Sequence, residues 1–159
     1  MTAQKRGAKL ATVYTTQEFG LGETHVAPDG SVYMFMQADG AVTKELFYTY
    51  DEATFQIEDP LEVAVHPADT KTKPLCVSQV TLADNEYAWV IVGPHSGFTA
   101  NAAEAVDADD VLYGHATAGK LGDTASACFV PQVTVTAAIG SATTGTFVAT
   151  AKMYAYDLP

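Results

Sequence analysis

The sequence predicts an all-β protein, built as a compact β-sandwich or small β-barrel with an extended N-terminal arm. Short apolar or alternating segments recur about every 8–12 residues, separated by turns rich in Gly, Pro or Asp. No helical periodicity persists over three turns. With 48% hydrophobic and 17% charged residues in 159, the chain has enough apolar surface to order a single domain.

The first half of the chain is predicted to form the arm and several strands. Residues 1–28 are polar and punctuated by glycine, which predicts an extended arm, with a short edge strand as the alternative. The turn at 28–30 follows from its Pro-Asp-Gly sequence, because Pro presets φ and Gly accepts positive φ. Residues 42–57 are ambiguous between helix and strand, and their aromatic and β-branched side chains favour strand. The remaining predictions in this half are strands at 31–36, 61–65 and 76–80 and a loop at 67–74.

In the second half, residues 87–92 give the strongest strand signal of the chain. Tyr87 and Trp89 fall on one face of this strand, and Ala88 and Val90 fall on the other. Two apolar faces predict either a central strand or a face covered by another subunit. Residues 98–106 are predicted to form a short helix or strand, residues 111–113 a strand and residues 118–122 a tight hairpin. The strand predicted at 129–136 includes Pro131, which an edge strand can accommodate. Two further strands are predicted at 146–151 and 152–156.

The charge distribution restricts the classes of partner. The chain has 8 basic and 19 acidic residues, a net charge of −11, which argues against nucleic acid and anionic membranes. Lys5, Arg6 and Lys9 crowd the N-terminus, whereas Lys120 is the only basic residue from 82 to 151. The sequence shows neither a run of about 20 apolar residues nor the apolar segment of a secretory signal. We therefore expect a locally basic arm on an acidic body, in a protein that stays in the cytoplasm unless it leaves inside a larger particle.

Candidate reactive residues are few and scattered, so we predict no enzyme activity, no cofactor and no metal site. The Gly-Pro-His-Ser-Gly stretch places His95 beside Ser96 without the spacing of a nucleophile elbow. The cysteines Cys76 and Cys128 lie in apolar runs, which predicts two reduced, buried side chains. The histidines at 25, 66 and 115 lack the spacing of metal ligands. The aspartate turn at 107–110 lacks the Gly and Glu of a calcium loop. The acidic pairs at 51–52 and 58–59 could act as acid and base, but the sequence does not determine the distance between their carboxylates.

Several motifs follow one another in a recognisable order. Residues 30–40 read GSVYMFMQADG, 87–93 read YAWVIVG, and 110–121 read DVLYGHATAGKL, followed by Ile-Gly at 139–140 and a terminus rich in Thr and Ala. Over most of 10–156 this order resembles the capsid decoration, or cement, proteins of tailed bacteriophages. Residues 42–73 depart from the pattern because they are longer and more acidic, and we expect an insertion or protruding loop there within a single β domain, 29–159.

The resemblance implies a structural protein of the virion. Such proteins sit on the outer surface of an icosahedral head, usually as homotrimers, and clamp neighbouring subunits of the major capsid protein without touching nucleic acid. The implied capsid-contact residues of the arm are Lys5, Arg6, Lys9 and Leu10. Tyr87 and Trp89 are candidate subunit-contact or core aromatics.

Three alternatives compete with this interpretation. A carbohydrate-binding β-domain would stack sugars on Tyr87, Trp89 or the exposed Tyr154 and Tyr156. A small hydrolase would use His95 with Ser96 or an acidic pair. A tail-tube or tail-fibre subunit would be a structural variant of the decoration protein.

Overall fold

The computed structural model of the chain describes residues 8–61, 72–140 and 143–157. Within these ranges there is no helix, and hence none that could span a membrane. The all-β prediction is confirmed. The strands, numbered in chain order, are β1 (Thr24–Val26), β2 (Val32–Ala38), β3 (Phe47–Asp51), β4 (Gln56–Pro60), β5 (Thr72–Val77), β6 (Tyr87–Ile91), β7 (His95–Asn101), β8 (Tyr113–Gly114), β9 (Leu121–Gly122), β10 (Cys128–Phe129), β11 (Val133–Val135), β12 (Thr144–Ala149) and β13 (Tyr154–Asp157).

Five of these strands close into a small barrel. Strand β2 pairs with β6 on one side and with β4 on the other, and β4 pairs with β3. Strand β3 pairs with β5, which closes the circuit by pairing with β6. The β2–β4 pair is parallel and the other four are antiparallel. Residues 42–61 and 72–73, the described parts of the expected insertion, supply β3, β4 and the first two residues of β5. The expected insertion stays a prediction. Residues 62–71 lie outside the described residues, together with most of the strand predicted at 61–65.

The barrel interior is lined by every second residue of its strands, as the two-residue period of a strand requires. On β6, Ala88 and Val90 point inward beside Met36 of β2, which pairs with Ala88. The rest of this inner cluster consists of Ala38, Val42, Tyr48, Tyr50, Ile57, Cys76, Leu82 and Val92.

A second core lies between the outer wall of the barrel and a three-stranded sheet of order β11-β12-β7. Phe47 of β3 packs edge-on against Phe98 of β7 and Phe147 of β12, with ring centroids 6.1 and 5.8 Å apart. Leu75 and Ile91 join the same cluster from β5 and β6. Strands β5 and β6 therefore bury both faces, which explains their nearly continuous apolar sequences.

The C-terminal strands extend the barrel sheet in the order β5-β13-β10-β8-β9. The strand predicted at 129–136 is wrong as one element, because it breaks at Pro131 into β10 and β11, which belong to different sheets. Proline has no N–H to donate, so the ladder stops there. The loop predicted at 67–74 is also wrong for 72–74, which begin β5 and pair with β13.

The hairpin of β8 and β9 is wider than predicted, with its turn at 115–120 docked on the barrel. Gly119 N donates to Leu61 O at 2.7 Å, Leu61 N donates to Phe47 O at 2.9 Å, and Phe47 N donates to Gly119 O at 2.8 Å. Gly119 has a φ of 73°. This closed ring of backbone bonds joins the hairpin to β3 and to the residue that follows β4.

Candidate interaction surfaces

The described part of the N-terminal segment is held along the outer wall of the barrel. Tyr14 and Tyr87 exchange two backbone hydrogen bonds, each 2.9 Å long. Further along, Gly22 N donates to Phe35 O at 2.9 Å, and β1 pairs with β2 over Thr24–Val26. The short edge strand that the sequence offered as an alternative is therefore present. The segment is fixed from residue 14 onward.

Aromatic rings seal this segment against the wall. The Phe35 ring lies 5.5 Å from Tyr14, 5.1 Å from Phe19 and 5.4 Å from Trp89, measured between centroids. Trp89 is only 2% exposed and lies under Phe19, and Tyr87 is half-buried and stacks on Phe35. The Trp89 ring therefore belongs to the core, and no open Tyr87–Trp89 platform for a sugar exists on this wall.

Of the four predicted contact residues of the arm, two lie within the described part of the chain. Lys5 and Arg6 lie outside the described residues. Lys9 is exposed and Leu10 is half-buried, just before the point at which Tyr14 fixes the chain. The structure thus defines where the basic stretch is attached to the body.

His95 and Ser96 do not form a catalytic pair. Ser96 Oγ donates to Asp29 Oδ2 at 3.0 Å, whereas His95 Nε2 lies 2.8 Å from Tyr33 Oη. Gly97 N donates to His95 Nδ1 at 3.1 Å, so a neutral ring carries its proton on Nε2 and donates it to Tyr33. Both ring nitrogens are thus engaged away from the Ser96 hydroxyl.

His95 is expected to make the stability of the protein depend on pH. Burial lowers the pKa of His95 below its usual 6.5, against the opposing effect of Asp29, so the fold favours the neutral ring. This contribution to stability is full above about pH 6.5 and is lost as the pH falls through the lower folded pKa. Urea unfolding between about pH 7 and 5 should show a smaller loss of stability for His95→Gln than for the wild type. Ser96→Ala should keep the wild-type slope, and equal slopes for all three proteins would contradict the assignment.

The other candidates from the sequence serve local structure. Both cysteines are buried thiols, as predicted. Asp107 N donates to Asp110 Oδ2 at 2.8 Å within the predicted aspartate turn. Histidine 66 lies outside the described residues, and the described part of the chain contains no group of three side chains that could hold a metal ion. In the acidic pairs, Asp51 accepts a backbone hydrogen bond within a turn. Glu52 forms an ion pair with Lys152, and Glu58 forms one with Lys73.

A second surface with aromatic character lies on the outer face of the C-terminal strands. Phe129 of β10 pairs with Tyr113 of β8 on one side and with Tyr156 of β13 on the other. Directly paired residues share a face of a sheet, and Tyr154 shares the face of Tyr156 because it is two residues away. We call these four half-buried side chains, Tyr113, Phe129, Tyr154 and Tyr156, the aromatic face. Their neighbours in the strands, including Cys128 and Ala155, point into the second core.

Sequence reasoning found only half of the aromatic face. Tyr154 and Tyr156 were identifiable because they alternate at one strand. Tyr113 and Phe129 join them only through the pairing of two-residue strands that are far apart in sequence. The one sequence signal for Tyr113 and Phe129 was that each lies next to a small or apolar residue in its short strand.

Lys152 lies at one end of the aromatic face. Its ammonium group lies 5.2 Å from the centre of the Tyr154 ring and 5.9 Å from that of the buried Tyr50, and it forms an ion pair with Glu52. Burial opposes the charged form, but the bonds to Glu52 and Tyr154 outweigh it and raise the pKa of Lys152. Burial raises the pKa of Tyr50 to about 12. Lys152 therefore stays charged at neutral pH.

No model of a known protein family and no curated protein sequence matches this chain.

Proposed function

We propose that this chain is a structural protein of a phage virion, which binds the outer surface of the icosahedral capsid and stabilises contacts between major capsid protein subunits. The observation that carries the proposal is the attachment of the N-terminal segment. Its basic stretch leads directly into a part of the chain that backbone bonds and the Phe35 ring cluster hold on the barrel. A capsid subunit bound by this stretch would thus be coupled to a firmly folded body.

The distribution of charge supports the same function. Lys5, Arg6 and Lys9 precede a body whose composition is acidic, with a net charge of −11 for the whole chain. A basic arm suits carboxylates on a neighbouring capsid subunit, and an acidic body suits the outer surface of the head, away from packaged DNA. Each exposed ion pair contributes little, so several arms acting together would provide lasting attachment.

The placement of the resembling motifs also supports the proposal. Residues 30–40 form a turn and β2, and residues 87–93 form β6 and the turn after it, so two of the motifs are paired strands of the barrel. The motif at 110–121 includes the hairpin that Gly119 docks on the barrel. The resemblance therefore covers residues that fold together.

Deletion of residues 1–12 tests the arm. We expect the truncated protein to lose binding to expanded heads of the phage that encodes it, after those heads are stripped of this protein, as measured by co-sedimentation. Its fold should persist because the described anchoring begins with Val13 and Tyr14.

A charge variant separates electrostatic attraction from shape. The triple variant Lys5→Ala, Arg6→Ala, Lys9→Ala should weaken binding and reduce its salt dependence, because exposed charges act through a screened field. The control is Lys44→Ala, which removes an exposed charge from the body of the protein. Full binding by the truncated protein, or equal loss from the control, would contradict the role of the arm.

The proposed geometry includes a homotrimer. We expect sedimentation equilibrium to give a mass near three times 16.8 kDa, since a trimer matches positions of threefold symmetry on a head. A monomer at micromolar concentration would argue against such positions. Decoration of tails rather than heads in negative-stain images would favour the tail alternative.

A further inference from the structure

We propose that the aromatic face binds a neutral carbohydrate chain. The C–H faces of sugar rings stack on aromatic rings, whose faces carry partial negative charge. Tyr113 and Phe129 have centroids 5.8 Å apart, and Tyr154 and Tyr156 have centroids 6.3 Å apart. Tyr113, Phe129 and Tyr156 lie opposite one another on adjacent strands, which are about 4.8 Å apart, and Tyr154 precedes Tyr156 on β13, so the four side chains form a row on one face that suits a repeating polymer. This inference does not depend on attachment to a capsid.

Polar groups held beside the rings can bond to sugar hydroxyls. Gln132 Nε2 donates to Tyr156 Oη at 3.3 Å, and its Oε1 accepts from Tyr154 N at 3.2 Å, so this amide has a fixed orientation between the two tyrosines. The Lys152–Glu52 pair lies beyond Tyr154. Three of the four rings are tyrosines, whose hydroxyl groups add donors and acceptors along the row.

The opposite end of the row carries a fixed carboxylate. Glu104 accepts from Thr124 N and from Thr124 Oγ1, both at 2.9 Å. It lies against Gly122, which pairs with Tyr113, and a Cβ at Gly122 would overlap the carboxylate. Gly122 thus leaves the space in which Glu104 sits beside the first ring of the row.

The charge of the protein selects among carbohydrates. Glu104 flanks one end of the row and the Lys152–Glu52 ion pair flanks the other, and the chain carries a net charge of −11. An anionic polymer such as polygalacturonate would be repelled by this field, whereas a neutral chain would not. A row of aromatic rings flanked by a carboxylate, an ion pair and an amide therefore fits a neutral, hydroxyl-rich ligand.

Binding to defined sugars tests the proposal. The probes are hexasaccharides of glucose, N-acetylglucosamine, xylose and mannose, with polygalacturonate as the anionic comparison, measured by calorimetry on the full chain. We expect binding to at least one neutral hexasaccharide. Tyr113→Ala and Tyr156→Ala should each weaken it about tenfold, because each removes one stacking ring. The matched control is Tyr87→Ala, which removes a half-buried tyrosine from the opposite part of the barrel sheet and should leave affinity unchanged.

A second measurement needs no variant and so does not depend on whether the substitutions fold. Amide NMR spectra of the wild-type protein titrated with the bound hexasaccharide should shift at β8, β10 and β13. The proposal is overturned if no neutral hexasaccharide binds, if the shifts lie elsewhere, or if Tyr87→Ala loses as much affinity as Tyr156→Ala. Preference for polygalacturonate, or concentration-dependent shifts of these strands without sugar, would likewise assign the surface to another ligand or to a second copy of the chain.

Discussion

Replacement of Phe35 by alanine is expected to destabilise the protein by about 4 kcal/mol, because it empties a fully buried aromatic site. The Phe35 ring contacts Tyr14 and Phe19 of the N-terminal segment as well as Trp89 of the wall. Its loss should therefore also loosen the segment, seen as faster proteolysis within residues 8–23. Urea unfolding gives the free energy, and timed digestion with N-terminal sequencing locates the cuts.

Phe129→Ala provides the comparison for Phe35→Ala. Phe129 is half-buried and its ring packs on that of Tyr113, away from the N-terminal segment, so the expected loss is about 1–2 kcal/mol, without new cleavage in that segment. Equal destabilisation by the two substitutions would show that the ring cluster does not seal the segment. Unchanged proteolysis of Phe35→Ala would assign the anchoring to the backbone bonds of Tyr14 and β1 instead.

Replacement of Gly119 by alanine is the second substitution with a large expected effect, about 3 kcal/mol. Its φ of 73° disfavours a residue with a Cβ by about 1–2 kcal/mol. The added Cβ would also lie 2.8 Å from the Leu46 Cβ and 3.3 Å from Phe47 O, which adds about 1–3 kcal/mol of overpacking. Because Gly119 bonds to both Phe47 and Leu61, the variant should also loosen the hairpin, measured by hydrogen exchange at residues 113–122.

Gly30→Ala separates the two contributions at Gly119. Gly30 has a φ of 85°, but a Cβ there would meet no atom within 4 Å. Only the conformational penalty of about 1–2 kcal/mol applies to it. If urea unfolding gave the same loss of stability for Gly30→Ala and Gly119→Ala, the close approach of the added Cβ to Leu46 would have no energetic consequence.

Much of the fold was predictable because it depends on local patterns. Nearly continuous apolar runs rich in aromatic and β-branched residues predicted β2 and β6, and the positive φ at Gly30 follows from the Pro-Asp-Gly turn at 28–30. Pro131 and residues 72–74 were misassigned for a physical reason. A proline is compatible with both an edge strand and a break, and a strand that begins in a polar sequence is recognised only by its partner, here β13.

The candidate surfaces were less predictable than the strands. The sequence identified Trp89 as an aromatic on a strong strand, but its burial depends on Phe19, which comes from a segment read as an arm. The aromatic face depends on the register of β8, β10 and β13, and two-residue strands carry almost no register information of their own. The burial of Trp89 and the composition of the aromatic face therefore depend on long-range pairing rather than on local propensity.

The pairing of β5 with β13 has a consequence during synthesis of the chain. Pro74 finds its partner Tyr154 only after most of the sequence has left the ribosome. Until β7, β11 and β12 have been synthesised, Phe47, Leu75 and Ile91 lack the complete second layer against which they pack. Topologies dominated by such distant partners fold slowly. While the remaining strands are being translated, the nascent barrel exposes the apolar residues of its outer wall. The speed of the ribosome over residues 92–157 therefore sets how long the unfinished protein is vulnerable to aggregation.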